Sequence, residues 1–482
     1  MDVPKTVTVD ADSRGRQEAE RGKTASLWSG SFLILFGINV CLFGSMNMLL
    51  ATMPIRFQDN GMSEGMIGLI FGGFYAACIS ARIATGSLAA GLGELRLLKA
   101  ALLMAALGNA LMLLNDSFAS YFLSRIVNGA GIGAATTLMI SLASKIIPGG
   151  RLAEGLGRLA LGATVALAFG PLLGLKGAAL FGFPVLLAGS ALALSAGFAA
   201  AAALDPAAFR EAGRNSCPAS GLAAGQGAAP APGQEAGRAP EQAAGRASAR
   251  EAGRASGPEA GRPSVQGSGL GPSRSGDEGA APPEKPRRGF RLPDREMALP
   301  ALLFILLGGA VGGIFTFLVL YLDERGLGDA GTFFLVATLG MVSTRLFGGR
   351  LHDRCGHLFV ILPCSLLMLG SHVTLFLAPG GLGVRLAALA FGLGLGALFP
   401  SLQALAIAYS PPARRTLAAA LLLNGYDVGI ATNAVVLGWL SELFHTYRAV
   451  YAATPLFMIA FLLVYFLNPV FSKGRREGRQ SA

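Results

Sequence analysis

The sequence predicts an all-α membrane protein, with twelve transmembrane helices arranged as two pseudo-symmetric six-helix bundles. Three observations lead there. The 482 residues are 52% hydrophobic and only 14% charged, against about 25% charged in ordinary soluble domains. Apolar runs close to the ~20 residues that a helix needs to cross hydrocarbon recur along the chain. A pattern of Gly, Arg and Pro returns at a fixed offset of 263 positions, the mark of a duplicated half.

In chain order, residues 1–28 form a polar tail in which Lys5, Arg14, Arg16, Arg21 and Lys23 are balanced by acids. It is too acidic, and too long before the first apolar run, for a signal peptide. Residues 29–204 hold six apolar spans, near 29–53, 65–89, 97–115, 119–144, 155–175 and 179–203. Residues 205–296 break the pattern. Gly, Ala, Arg, Glu and Pro dominate, and Glu-Ala-Gly-Arg recurs at 211–214, 235–238, 251–254 and 259–262. Without apolar anchors this stretch cannot bury a core, so a disordered linker is expected. Residues 297–469 supply six further spans, near 298–322, 330–351, 358–377, 385–409, 416–440 and 448–468, and 470–482 form a basic tail.

Lys and Arg fall on alternate connections. One set holds Arg96, Lys99, Lys145, Arg151, the arginine-rich linker, Arg350, Arg354, Arg414, Arg415 and the tail. The other holds Arg56, Lys176, Arg325, Arg385 and Arg448, singly. The positive-inside rule therefore predicts a multi-pass protein of the cytoplasmic membrane, with both termini and the linker in the cytoplasm. The net charge of +11 sits in loops, tails and linker, so no nucleic-acid partner is expected. The five cysteines show neither metal-ligand spacing nor a disulfide framework. No nucleophile signature, metal cluster or nucleotide loop is present, so no enzyme activity, metal or cofactor is expected, nor ATP as a direct driver.

The repeat is clearest around Gly349-Arg350-Leu351-His352-Asp353-Arg354-Cys355-Gly356. Gly86, Leu88 and Gly93 match Gly349, Leu351 and Gly356, and Arg82 matches Arg345. The same offset pairs Gly129, Gly131 and Gly133 with Gly392, Gly394 and Gly396, Pro148 with Pro411, Arg151 with Arg414, and Gly162 with Gly425. Ala90 stands where Asp353 stands, so the charged centre survives in one copy. Two halves running parallel put the repeat axis along the membrane normal and the substrate between them near the midplane. Small residues at four-residue spacing, Gly170 with Gly174 among them, form faces on which helices pack closely. Pro171 and Pro400 bend their helices where freed carbonyls find partners.

Charged and amide side chains within spans are the functional candidates, because burying a charge in lipid costs several kcal/mol. Arg125 shares a face of the fourth span with Asn128 and is expected in the central cavity, bound to an anionic group or a proton-carrying carboxylate; the alternative is an arginine that snorkels to the outer interface. Asp427, midway along the eleventh span with Asn424 on its side, is the candidate for proton coupling. The alternative is a carboxyl that holds a helix pair. Asn39 and Asn47 in span one, with Thr316, Phe399 and Gln403, are candidate cavity lining. His372 is read as a packed side chain rather than a proton relay.

These residues resemble the major facilitator superfamily. Gly349-x-Leu351-x-Asp353-Arg354-x-Gly356 is similar to its loop motif between the second and third helices of a half. Arg125-x-x-Asn128-Gly129-x-Gly131 resembles its fourth-helix motif, and Gly170-Pro171-x-x-Gly174 the fifth-helix motif associated with antiporters. The texture around Pro400, Gln403 and Tyr426-Asp427-x-Gly429 resembles bacterial twelve-helix efflux members. The resemblance implies alternating access, with Gly86, Gly349, Asp353, Arg354, Gly356, Gly170, Pro171 and Gly174 as conformational-switch positions. Asp353 would latch onto the start of the fifth helix, near Arg151 to Arg158. The expected function is proton-coupled efflux of a small polar or amphipathic molecule, such as a drug, metabolite or metallophore, by a monomer in the lipid bilayer. Uptake on the same scaffold remains open, as does a sensor or scaffold that recruits a cytoplasmic partner through the linker.

Overall fold

The computed structural model describes residues 28–147, 151–206, 209, 295–355, 358–408 and 415–467. The tails, nearly all of the linker, and Gly356 lie outside the described residues. Among the described residues the chain forms twelve long helices and no strand. They are α1 (Gly30–Asp59), α2 (Glu64–Leu92), α3 (Glu94–Leu111), α4 (Phe118–Ile146), α5 (Leu152–Phe181) and α6 (Phe183–Ala202), then α7 (Arg295–Arg325), α8 (Ala330–Cys355), α9 (Leu358–Leu377), α10 (Gly381–Ala408), α11 (Arg415–Phe444) and α12 (Arg448–Leu467). Ten are long and apolar enough to cross a membrane. The other two are α3, 18 residues long and opening with Glu94, Arg96 and Lys99, and α8, which ends with Arg345, Arg350, Asp353 and Arg354.

Local chemistry sets the helix ends. Ser29, Ser63 and Ser117 each precede a helix, and their hydroxyl oxygens accept the backbone N–H of Phe32, Met66 and Ser120, which satisfies one otherwise orphaned donor each. Gly93 both ends α2 and begins α3, with φ at 83°, and Gly182 does the same between α5 and α6 at 84°. Glycine reaches that left-handed region without a Cβ clash. The charged stretch, expected as a loop, instead continues α8 through Cys355. Gly349, Asp353 and Arg354 therefore ride its last turns, as Gly86 rides those of α2.

The repeat is visible in the packing. In the first bundle α1 packs on α5 and α6, α4 on α2 and α3, and α3 on α6. In the second, α7 packs on α11 and α12, α10 on α8 and α9, and α9 on α12. Each pair in one bundle has its counterpart in the other. The bundles meet through α2 with α11, α5 with α8, and α1 with α7.

They meet most closely where α1 finishes and α2 begins. The apolar core of the second bundle runs on there into the first and takes in Leu49, Met53, Phe57, Ile67 and Phe71. The opposite half of the first bundle keeps a separate core around Phe32, Leu35, Leu98 and Leu138. Gly68 of α2 faces the backbone of Ala434 and Val435, and its repeat partner Gly331 on α8 faces Leu172 of α5, whose Cα lies 3.0 Å from where a Cβ would stand. Glu442 of α11 closes this end by accepting the Gly65 N–H at 3.1 Å and the Ser63 hydroxyl at 3.2 Å. A carboxylate at the N-terminus of α2 is favoured by the helix dipole.

Within the first bundle, Gly170 and Gly174 bring α5 against α1, where Asn47 and the backbone of Met48 leave no room for a side chain. Gly189 of α6 has nothing within 4 Å. Replacing Gly174 with Val should therefore lower stability by about 1–3 kcal/mol, and Gly189→Val should leave it within about 0.5 kcal/mol. Thermal unfolding of both variants in detergent measures this, and equal midpoints would contradict the close approach of α1 and α5.

Candidate functional site

Asp427 lies 12 and 17 residues from the two ends of α11, within its apolar span Leu421–Phe444. It is 7% exposed. Its Oδ2 accepts a hydrogen bond from Arg82 Nη1 of α2, and the two form an ion pair between the bundles. Their side chains are 10% and 18% exposed. A carboxylate at this depth needs a cation or a proton, and here the opposite bundle supplies the cation.

The repeat partner of this contact is present as well. Arg82 corresponds to Arg345 and Asp427 to Thr164 at the 263-position offset. Arg345 Nη1 of α8 donates to Thr164 Oγ1 of α5 at 2.8 Å. The same guanidinium nitrogen crosses the same pseudo-equivalent helix pair. In one crossing the acceptor is a carboxylate and in the other a neutral hydroxyl, which itself donates to Ala160 O at 3.1 Å.

Arg125 is 4% exposed. Its Nη1 donates to Asn128 Oδ1 at 2.9 Å, and Asn128 Nδ2 donates to the Ala105 carbonyl at 2.9 Å. The guanidinium carbon stands 3.9 Å from the Phe74 ring centroid and 5.8 Å from that of Phe71, a cation–π arrangement that is stronger when desolvated. Its Nε has no hydrogen-bond partner, and among the described residues no carboxylate pairs with it. Arg125 and Asn128 thus form one buried unit on α4, as their shared face implied. The repeat positions are Ala388 and Phe391, so this unit belongs to the first bundle alone.

The amides of span one are committed to structure. Asn39 Nδ2 donates to the Leu159 carbonyl at 2.6 Å and ties α1 to α5. Asn47 Nδ2 donates to Phe43 O at 2.8 Å. Thr316 is buried with an unpartnered hydroxyl, and Asn424 Oδ1 is likewise unpartnered. Gln403 is half-buried on α10. His372 is fully buried, its ring nitrogens 2.7 Å from Met368 O and 2.9 Å from Ala310 O, a packed position between α9 and α7. Phe399 stands edge-on to Phe304 and Tyr426, with ring centroids 5.2 and 5.3 Å away. Arg82 and Arg345 entered the sequence reading only as marks of the repeat register. The signal that could have found their role was there, since both are cations inside spans and Asp427 stands in the same register as Thr164.

A family model described as Major Facilitator Superfamily matches residues 35–391 and 384–482. No curated protein is significantly similar in sequence. Among solved structures, the nucleoside transporter NupG in its D323A mutant superposes with a TM-score of 0.66 at 12% identity, over 90% of this chain and 100% of that one. A bacterial homolog of the human lysosomal transporter Spinster, inward-facing and unoccupied, gives 0.61 at 15% identity over 92% and 97%. The human organic anion transporter MFSD10 (TETRAN) gives 0.55 at 14% identity over 90% and 98%. At these identities the likeness is one of fold.

Removing Asp427 alone leaves Arg82 as an unpaired cation between the bundles. Asp427→Ala should destabilise by about 3–5 kcal/mol, whereas replacing Arg82 and Asp427 together with Leu should recover most of that loss. A double-mutant cycle on thermal unfolding reads the coupling. Additive effects would mean that the two side chains do not interact.

Proposed function

The chain belongs to the Major Facilitator Superfamily, and on that premise we propose that it is a proton-coupled exporter of a small molecule, working by alternating access. The observation that carries the reading is the Arg82–Asp427 pair between α2 and α11. While Asp427 is ionised, Coulomb attraction in a low-dielectric setting holds the two helices together at mid-depth. A proton on Asp427 removes that attraction and frees the helices to part. Proton binding and opening are then two descriptions of one equilibrium. Arg125, over Phe74 and beside Asn128, is a second fixed cation that shapes the field around the path.

The positive-inside assignment makes the closed end, with Glu442 and Gly65, the outer one. The described conformation is then closed to the outside. In the opposite state Asp353 would dock, by pseudo-symmetry, at the start of α5 near Arg151 to Arg158. Its twin position, Ala90, carries no charge, so this latch acts on one side only.

Comparing internal and external metabolites between strains with and without the protein identifies the exported compound. In inside-out vesicles, acidifying the lumen should drive uptake of that compound by the wild type. Asp427→Asn should lower gradient-driven uptake by at least about tenfold while leaving exchange down its own gradient. Undiminished gradient-driven uptake in Asp427→Asn would remove Asp427 as the coupling group, and a gradient effect of opposite sign would mean import. Separately, Asp353→Ala should shift the labelling of cysteines placed on the two faces, and unchanged labelling would reduce the motif to an anchor.

A further inference from the structure

The two bundle crossings differ in one respect that neither packing nor helix geometry accounts for. At α2 with α11 the arginine meets a carboxylate, and at α5 with α8 it meets a hydroxyl. Arg345 has no carboxylate partner among the described residues. A guanidinium has five N–H donors, and Thr164 takes one of them. Arg345 is nevertheless 15 residues into α8, about 22 Å along the helix axis from its start. There a bare cation is unfavourable unless it faces water or an anion. It is solvent-exposed, whereas Thr164 beneath it is buried. The remaining donors are thus left to meet water or an anion. The phenol of Tyr426 lies within electrostatic reach of Arg345. Gly392 of α10 abuts Ala337 of α8, and Gly396 abuts Met341 and Thr344, so Phe399, the next turn of α10, comes level with Arg345. Phe399 and Tyr426 are half-buried and meet edge to face, which sets a partly open aromatic shelf beside the cation.

We propose that Arg345 is the anion subsite for the transported molecule, an aromatic monoanion whose carboxylate, sulfonate or phosphate docks on this guanidinium as Asp427 docks on Arg82. The proposal rests on the transporter reading and names its substrate class. The ring of the ligand lies on Phe399 and Tyr426, and its charge supplies the counter-ion that the repeat lacks at Thr164. Both crossings then hold a matched pair, and a loaded protein is symmetric where an empty one is not. Arginine presents a planar fork suited to bidentate carboxylate or phosphate recognition, so lysine at the same position should be a poor substitute.

The test uses the full chain in nanodiscs and a probe panel of 2-naphthoate, 2-naphthalenesulfonate, 2-naphthyl phosphate and the neutral 2-naphthamide. At least one anion should raise the thermal midpoint of the wild type, and the amide should not. Arg345→Gln should weaken that response at least about tenfold in concentration, with Arg345→Lys between the two. Thr164→Asp should abolish the response and raise the midpoint of the ligand-free protein, because the introduced carboxylate fills the subsite. An absent wild-type response to every anion, an equal response to the amide, or an undiminished response in Arg345→Gln would each overturn the proposal. Cysteine labelling from the two faces scores alternating access independently. Its failure beside an intact Arg345-dependent response would strike the transporter reading, and the reverse result would strike the anion subsite alone.

Discussion

The Arg82–Asp427 pair joins the two bundles within apolar spans, where an unpaired charge is poorly tolerated. Much of the arrangement follows from that constraint. A carboxylate on α11 requires a cation, the cation comes from α2, and so the two bundles are joined by the same interaction that makes the carboxylate tolerable. Burying both charges is unfavourable on its own, and their attraction offsets that only while the geometry holds. In the proposed mechanism such a contact acts as a switch more than as a strut, because one proton changes the balance. Arg125 meets the same constraint differently, through an amide on its own helix and the face of Phe74.

Backbone proximity is the second determinant. Lipid tails are as apolar as leucine, so helices in a bilayer gain little from hiding leucine from one another and associate through close packing. Gly68 and Gly331 serve this at the two bundle crossings, and Gly170 and Gly174 serve it within the first bundle. The crossings are held at two heights, by glycine contacts near the closed end and by the arginines deeper in. Closure at one end and polar chemistry in the middle are thus separate properties of the same helix pairs.

Much of this was legible in the sequence, for identifiable reasons. Hydropathy and the 263-position register depend on composition and spacing alone, so the twelve helices and the paired packing of the halves could be read directly. Asp427 and Arg125 stood out because a charge within an apolar run is conspicuous. The partners did not. That Arg82 reaches Asp427, that Asn39 binds the carbonyl of Leu159, and that Thr164 receives Arg345 depend on which faces turn toward each other across 120 to 345 positions of chain. The end of α8 was also hidden, since glycine and charge suggest a loop, whereas the helical ladder continues to Cys355.

The missing carboxylate at Thr164 has an electrical consequence. A guanidinium without a counter-charge, placed inside the membrane, feels the transmembrane potential, and carrying one elementary charge through the whole field is worth about 2.3 kcal/mol per 100 mV. The α2–α11 crossing is neutral as a pair while Asp427 is ionised, and in that state it is nearly blind to voltage. The α5–α8 crossing is not, so any rearrangement that shifts Arg345 from one side's potential toward the other's is weighted by the charge state of the cell's membrane. An anion bound there cancels the charge and silences the sensor. At this crossing the potential then acts on the empty protein rather than on the loaded one.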